Sequence, residues 1–327
     1  MSMDQEMVRE EEHMQGNSQN GSGASKTTVA GLALLLSAVV LADPVTLADG
    51  EFHDGSIESS NDLIRIGDGA TVDGDLESRN APIDVGSGAR VGDVESRNGR
   101  ISIGRDARTG RVSTRNGEIE IGASSQAGDL DSRNGMISVD DGAEVGSLDT
   151  RNGGIELGVG VTINGSIESR NGSVSIGSDS RVGGSVETRN GDVRLASESE
   201  ASGHIETRNG SVSLSSARVG QHIKTRYGDI RLEGPSSVGG DLIIEIVNNS
   251  EGASWMGWVG DFSDGGEIRI GDGSVVEGNV VVLLDEDFDA DPPRVIVEAG
   301  AEVRGSIQAD PRTELTIEGE VMDVEDS

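Results

Sequence analysis

Two apolar positions separated by one polar residue recur through most of the chain, at Ile83/Val85, Ile101/Ile103, Ile119/Ile121, Ile137/Val139, Ile155/Leu157, Val174/Ile176, Val193/Leu195 and Val212/Leu214. Alternation of period two marks a short strand with one buried face, and β-branched residues suit that geometry. A second apolar column runs through Leu76, Val94, Val112, Leu130, Leu148, Ile167, Val186, Ile205 and Ile223. Between the two lies a small residue followed by an apolar one, as in Ala89 with Val91, Ala143 with Val145, Val161 with Ile163 and Ser180 with Val182. Each repeat thus predicts three short strands. The repeats are spaced by 18 or 19 residues, too short for a helical pair and suited to one coil of a solenoid. The predicted fold is all-β, a single-stranded parallel β-helix with its handedness left open.

The same columns would serve an antiparallel meander, because Asn-Gly follows most second-column strands and is a strong hairpin signal. Nearly ten such hairpins would form a sheet of about twenty strands with one apolar face uncovered, beyond the usual limit of roughly ten. Coiling buries that face instead. The extra residue of the 19-residue coils agrees, since Val91-Gly92-Asp93-Val94 becomes Val182-Gly183-Gly184-Ser185-Val186. The insertion sits in a Gly-rich corner and leaves strand register untouched.

Arg-Asn marks one corner of every coil, at Asn80, Asn98, Asn116, Asn134, Asn152, Asn171, Asn190 and Asn209, with a degenerate start at Asn61 and Tyr227 as a substitute at the end. Stacked coils bring equivalent residues to about 4.8 Å. A structural Asn ladder is therefore expected, with each amide buried and bonded to its counterparts above and below, and with left-handed backbone relieved by the following Gly. The preceding Arg residues, Arg79 to Arg226, form a column of like charge. Glu77, Glu95, Asp131, Asp149, Glu168, Glu187 and Glu206 stand two residues earlier on the same strand face, so pairing between the columns is expected, at about 0.2 to 1 kcal/mol per exposed pair. That neutralisation argues against a polyanion-binding Arg track.

The organisation follows from where the repeat holds. Residues 1–42 resemble a signal peptide with an extended n-region: residues 29–42 are uncharged and mostly apolar, 14 in number, where a transmembrane helix needs about 20. Val40 and Ala42 suit signal peptidase, predicting cleavage after Ala42, export to the periplasm or cell surface, and no integral span in the mature chain. A retained short anchor is the alternative, and a cytoplasmic location follows if the signal reading fails. A lead-in covers 43–54, regular coils 55–246, an excursion 247–265, further coils 266–320, and an acidic tail 321–327.

Composition sharpens this picture. With 49 Gly, 2% aromatic residues and only 6 Pro among 327 residues, small side chains and tight turns replace a bulky core, without a collagen-like or disordered signature. No Cys is present, so neither a disulfide nor a lipid on a cysteine anchors the chain. Without residues 1–42, which carry five acids and two bases, 54 acidic and 24 basic side chains remain, a net charge of −30. Nucleic acid is excluded as a partner on that ground.

The segment Ile66-Gly-Asp-Gly-Ala-Thr-Val72-Asp-Gly74-Asp-Leu76, repeated as Ile270-Gly-Asp-Gly-Ser-Val-Val276-Glu-Gly278-Asn-Val280, resembles the β-helical bactofilins, a polymer-forming cytoskeletal family. The Asn-Gly-x-Ile-x-Ile repeats resemble an exported adhesin family of β-strand repeats. These resemblances imply assembly or surface attachment, with a glycan, an envelope protein or a second copy as partner and no catalytic residues or cofactors. The short motif also resembles hexapeptide-repeat acyltransferases, which use a His; His204 and His222, outside adjacent coils, are expected to stack as exposed rings. A carbohydrate-active enzyme would need long loops over one face, which coils 75–235 lack. Asp287, Asp289, Asp291 and Glu298 match calcium-loop positions, but Pro292 replaces the required Gly, and an acidic exposed loop is the better reading.

Trp255, Trp258 and Phe262 gather where the repeat lapses, in a chain with six aromatic residues in all. They either fold back over apolar surface or offer a partner-binding patch, since Trp rings stack on sugars and anchor interfaces.

Overall fold

The computed structural model describes residues 44–246, 265–286, 288 and 291–326. Its ordered elements are all strands, mostly two to five residues long, from Val45–Leu47 to Glu320–Asp326. The strands with two inward apolar residues stack into one 14-stranded sheet, in which every neighbour comes from the preceding or following coil. Ile119 lies opposite Ile101 on one side and Ile137 on the other, in parallel register. The second column stacks in the same way, with Leu148 between Leu130 and Ile167. Parallel pairing one coil apart excludes the antiparallel meander and makes the described residues a β-solenoid of about fourteen turns.

Burial follows the alternation. Ile101, Ile119, Ile137 and Ile155 are fully buried, as are Val94, Val112, Val186 and Ile205. The third face, with pairs such as Glu144–Val145 and Thr162–Ile163, narrows at Arg90, Arg108 and Gln126 to isolated parallel bridges. Beside Arg108 and Gln126 the inward side chains shrink to Thr109 and Ala127, so less is available to hold a strand there. The 19-residue coils keep register, Val186 lying opposite Ile167.

Corner geometry differs from the expected one. No Asn of the Arg-Asn corner has positive φ; the left-handed residue of each coil lies after the first strand, at Gly69, Gly88, Asp106, Ser124, Gly142, Gly160, Asp179, Glu198 and Ser216 among others. The Gly after each Asn is required for a different reason. A Cβ on Gly117, Gly135 or Gly153 would land on the carbonyl oxygen of the corner Gly one coil below. The backbones approach too closely there for any side chain.

Coiling begins at Val45, inside the stretch read as a lead-in, and the final strand Glu320–Asp326 takes in nearly all of the acidic tail, paired in parallel with Glu302–Ala309. The strand Leu242–Ile246 precedes the excursion and Glu267–Ile270 follows it, both in coil register with their neighbours. Val280–Leu284 and Arg294–Val297 are likewise in coil register and are joined through residues 285–293, of which 285, 286, 288 and 291–293 are described. Arg312 closes that turn, donating to the carbonyls of Asp285 and Phe288 and lying 5.8 Å from the Phe288 ring.

Candidate functional site

The Arg-Asn corner is the most regular surface of the molecule, and its chemistry is built from inside outward. Two residues before each Asn stands a Ser or Thr whose side chain turns inward: Ser96, Thr114, Ser132, Thr150, Ser169 and Thr188 are all buried. Each of these hydroxyls donates to the carbonyl of the residue after the corner Asn in the coil below, Ala81 for Ser96 and a Gly for the others, as Thr150 does to Gly135 at 3.2 Å and Ser169 to Gly153 at 3.1 Å. Those from Ser96 to Ser169 also accept the N–H of their own corner Gly, as Thr150 does from Gly153 and Ser169 from Gly172. A buried hydroxyl column thereby satisfies two backbone groups per turn. Sequence reasoning missed it, although each Ser or Thr stands two residues after an inward apolar residue and between the outward acid column and the Arg. Their restriction to small hydroxyl residues at one fixed offset from Asn was the available signal.

Outside this column runs the Asn ladder. Asn98 donates to Asn80, Asn116 to Asn98, Asn134 to Asn116 and Asn152 to Asn134, at 2.6 to 2.8 Å. Asn171, Asn190 and Asn209 continue it. These side chains are exposed, which corrects the expectation of buried amides: the buried polar group of the corner is the hydroxyl. Asn134→Ala breaks two amide bonds, at about 1 kcal/mol each, while Arg133→Ala touches nothing and should stay within about 0.5 kcal/mol. Chemical unfolding of the two variants checks that order, and equal small losses would show that the ladder adds no stability.

The Arg and acid columns lie side by side on the exposed face, but the pairing expected between them is absent. None of the eight arginines from Arg79 to Arg208 forms an ion pair among the described residues; nearby pairs use other positions, such as Arg100 with Glu120 and Arg181 with Glu200. Residues two apart on one strand point the same way, roughly 7 Å apart, so their side chains run outward in parallel instead of meeting. The acid column consequently repels itself. Burial, then Asp131, raises the Asp149 carboxyl against the pull of Arg170 and Arg151, and burial, then Glu187 and Asp149, raises Glu168. Between the columns runs an open groove of about 430 Å³, floored by Thr150, Ser169 and Thr188.

His204 and His222 do stack, with centroids 4.8 Å apart and planes 3° from parallel. They are half-buried, not exposed. His204 contacts Glu187 through Nε2 at 3.2 Å and Ser185 through Nδ1 at 3.0 Å. Burial lowers the His222 pKa, as do His204 and Lys224, while Glu206 and Asp241 oppose the shift. The unfolded imidazole takes up its proton near pH 6.5, before the folded one. Stability therefore falls as pH drops from above 6.5 to the lower folded value and is level beneath it. His222→Gln should flatten this shallow dip in melting temperature between pH 8 and pH 5.

Trp255, Trp258 and Phe262 lie outside the described residues, as do residues 1–42 and the Asp287 and Asp289 of the calcium-like run. Glu298, from the same run, is turned to Arg269 at 3.3 Å. Among the described residues no group of three or more His, Cys, Asp or Glu side chains has metal-holding geometry, and no helix is long and apolar enough to cross a membrane. Compared with family models, curated proteins and solved structures, the chain matches none of them. Fold and surface chemistry therefore carry the functional argument alone.

Proposed function

We propose that this chain is a non-enzymatic structural or adhesin-like element of the cell envelope, exported by cleavage after Ala42. One observation supports this reading above others: its most regular side chains serve the stack itself. The Asn and hydroxyl columns hold coil to coil over more than a hundred residues, and the two histidines are engaged with each other, Glu187 and Ser185. A rod stiffened in this way spans distance and presents surface. A glycan or envelope protein is its partner in this reading, with Trp255, Trp258 and Phe262 as the contact. Fractionation of native cells followed by N-terminal sequencing tests the proposal: Asp43 as the first residue of an envelope-fraction protein is expected, and Met1 in the cytoplasm overturns export.

A second reading, a self-polymerising scaffold of bactofilin type, is favoured by the last coil. Leu315, Ile317, Met322 and Val324 are exposed there, Met322 at 78%, and Leu315 and Ile317 continue the inward column of Val295 and Val297. Filaments in electron micrographs of the purified chain would support this reading over the first.

A further inference from the structure

From the two unpaired charge columns we infer that the exposed Arg/acid face is the contact surface for a second copy of this chain, the two solenoids lying parallel and face to face. Arg79, Arg97, Arg115 and their successors to Arg208 stand one per coil without an ion pair, and the acids two residues before all of them but Arg115, which follows Ser113, do likewise, except Glu187, which meets His204. Such a face lacks counter-charges at the period of one coil, about 4.8 Å. A flexible polyanion would meet the Arg column but be repelled by the adjacent acids and by the net charge of −33. A second copy supplies both signs at the same period, because its columns have the same spacing.

Symmetry then fixes the orientation. A two-fold axis across the columns would turn one solenoid antiparallel to the other and set acid on acid and Arg on Arg. A two-fold axis along the solenoid exchanges left and right, so each acid column faces the partner's Arg column, rung by rung. The parallel arrangement alone is complementary, and like-charge juxtaposition penalises the other.

The end of the face fits this arrangement. At the last rung Lys224 occupies the acid column, in register with Glu206, and would meet the Arg226 of a facing copy as a like charge. Glu245, one coil further, takes up Lys224 at 2.8 Å and lies 3.8 Å from Arg226. The rung at which complementarity would fail is closed internally. Asp149 and Glu168, held above the ordinary carboxylate range, gain most from an incoming guanidinium.

The test uses the purified full chain, so its outcome is independent of whether the protein is exported. Sedimentation at roughly 0.15 M salt, where the Debye length is about 8 Å and the overall negative charge is screened, should show a dimer that dissociates near 1 M salt. Reversing three acids (Glu168→Lys, Glu187→Lys, Glu206→Lys) or three arginines (Arg170→Glu, Arg189→Glu, Arg208→Glu) should each weaken self-association by about 100-fold or more. An equimolar mixture of the two variants should associate again, which a folding defect in either would not allow. Because the chain has no Cys, orientation can be read by disulfide trapping: Glu187→Cys mixed with Arg189→Cys should crosslink faster than Glu187→Cys alone. A monomer at all salt concentrations, association that strengthens up to 1 M salt, failure of the mixture to associate, or faster trapping of Glu187→Cys with itself would each overturn the inference.

Discussion

Gly135→Ala is expected to destabilise the solenoid by more than about 3 kcal/mol, beyond the usual cost of an added methyl in a packed site. The new Cβ would meet the carbonyl oxygen of Gly117, and Gly153 stands in the same relation to Gly135 itself. Relief requires the coils to part at this corner. Parting lengthens the hydrogen bond from the Ser132 hydroxyl to Gly117 and the one from Asn134 to Asn116. Gly88→Ala is the informative control: it is left-handed but meets nothing within 4 Å, so its cost should stay near the 1 kcal/mol of an unfavourable φ. Thermal unfolding of both variants followed by circular dichroism checks the difference. Equal losses would mean that the corner backbones are not in close contact.

Ile103→Ala should cost about 2 to 5 kcal/mol, and Ile176→Ala a similar amount. Both side chains are 2% exposed or less and lie between equivalents above and below, Ile103 between Val85 and Ile121. In a stack where each turn touches only its neighbours, the loss is felt locally first. Hydrogen exchange should therefore accelerate in the coils around residue 103 while those near residue 300 keep their protection. Uniform acceleration along the whole chain would instead mark a single cooperative unit.

The coil was legible in the sequence because its signal is redundant: eight repeats place Ile, Val or Leu at the same two offsets, and no other arrangement buries all of them. Three features of the Arg-Asn corner were less legible. Its glycines read as turn formers, since sequence does not show that another backbone lies against them. Its hydroxyls went unassigned, because only stacking reveals that each has a carbonyl of the coil below within reach. Its charges read as pairs, because spacing along one strand says which side a residue faces but not that neighbours diverge. The left-handed column was hidden by its mixed identity, Gly in some coils and Asp106, Ser124 or Glu198 in others.

Between Asn61 and Asn209 the hydroxyl and Asn ladders make each coil bind the one below through nearly the same bonds, whatever its place in that row. Length is therefore close to a free parameter of this molecule. Removing residues 117–134 would bring Asn116 and Gly135 together at one corner, keep an 18-residue period, and let the next amide, Asn152, reach Asn116 as it now reaches Asn134. Duplicating the same segment would add one turn, about 4.8 Å of rod. A gene encoding such a chain can change the reach of its product in steps of one coil by unequal recombination between near-identical repeats, without redesigning any contact.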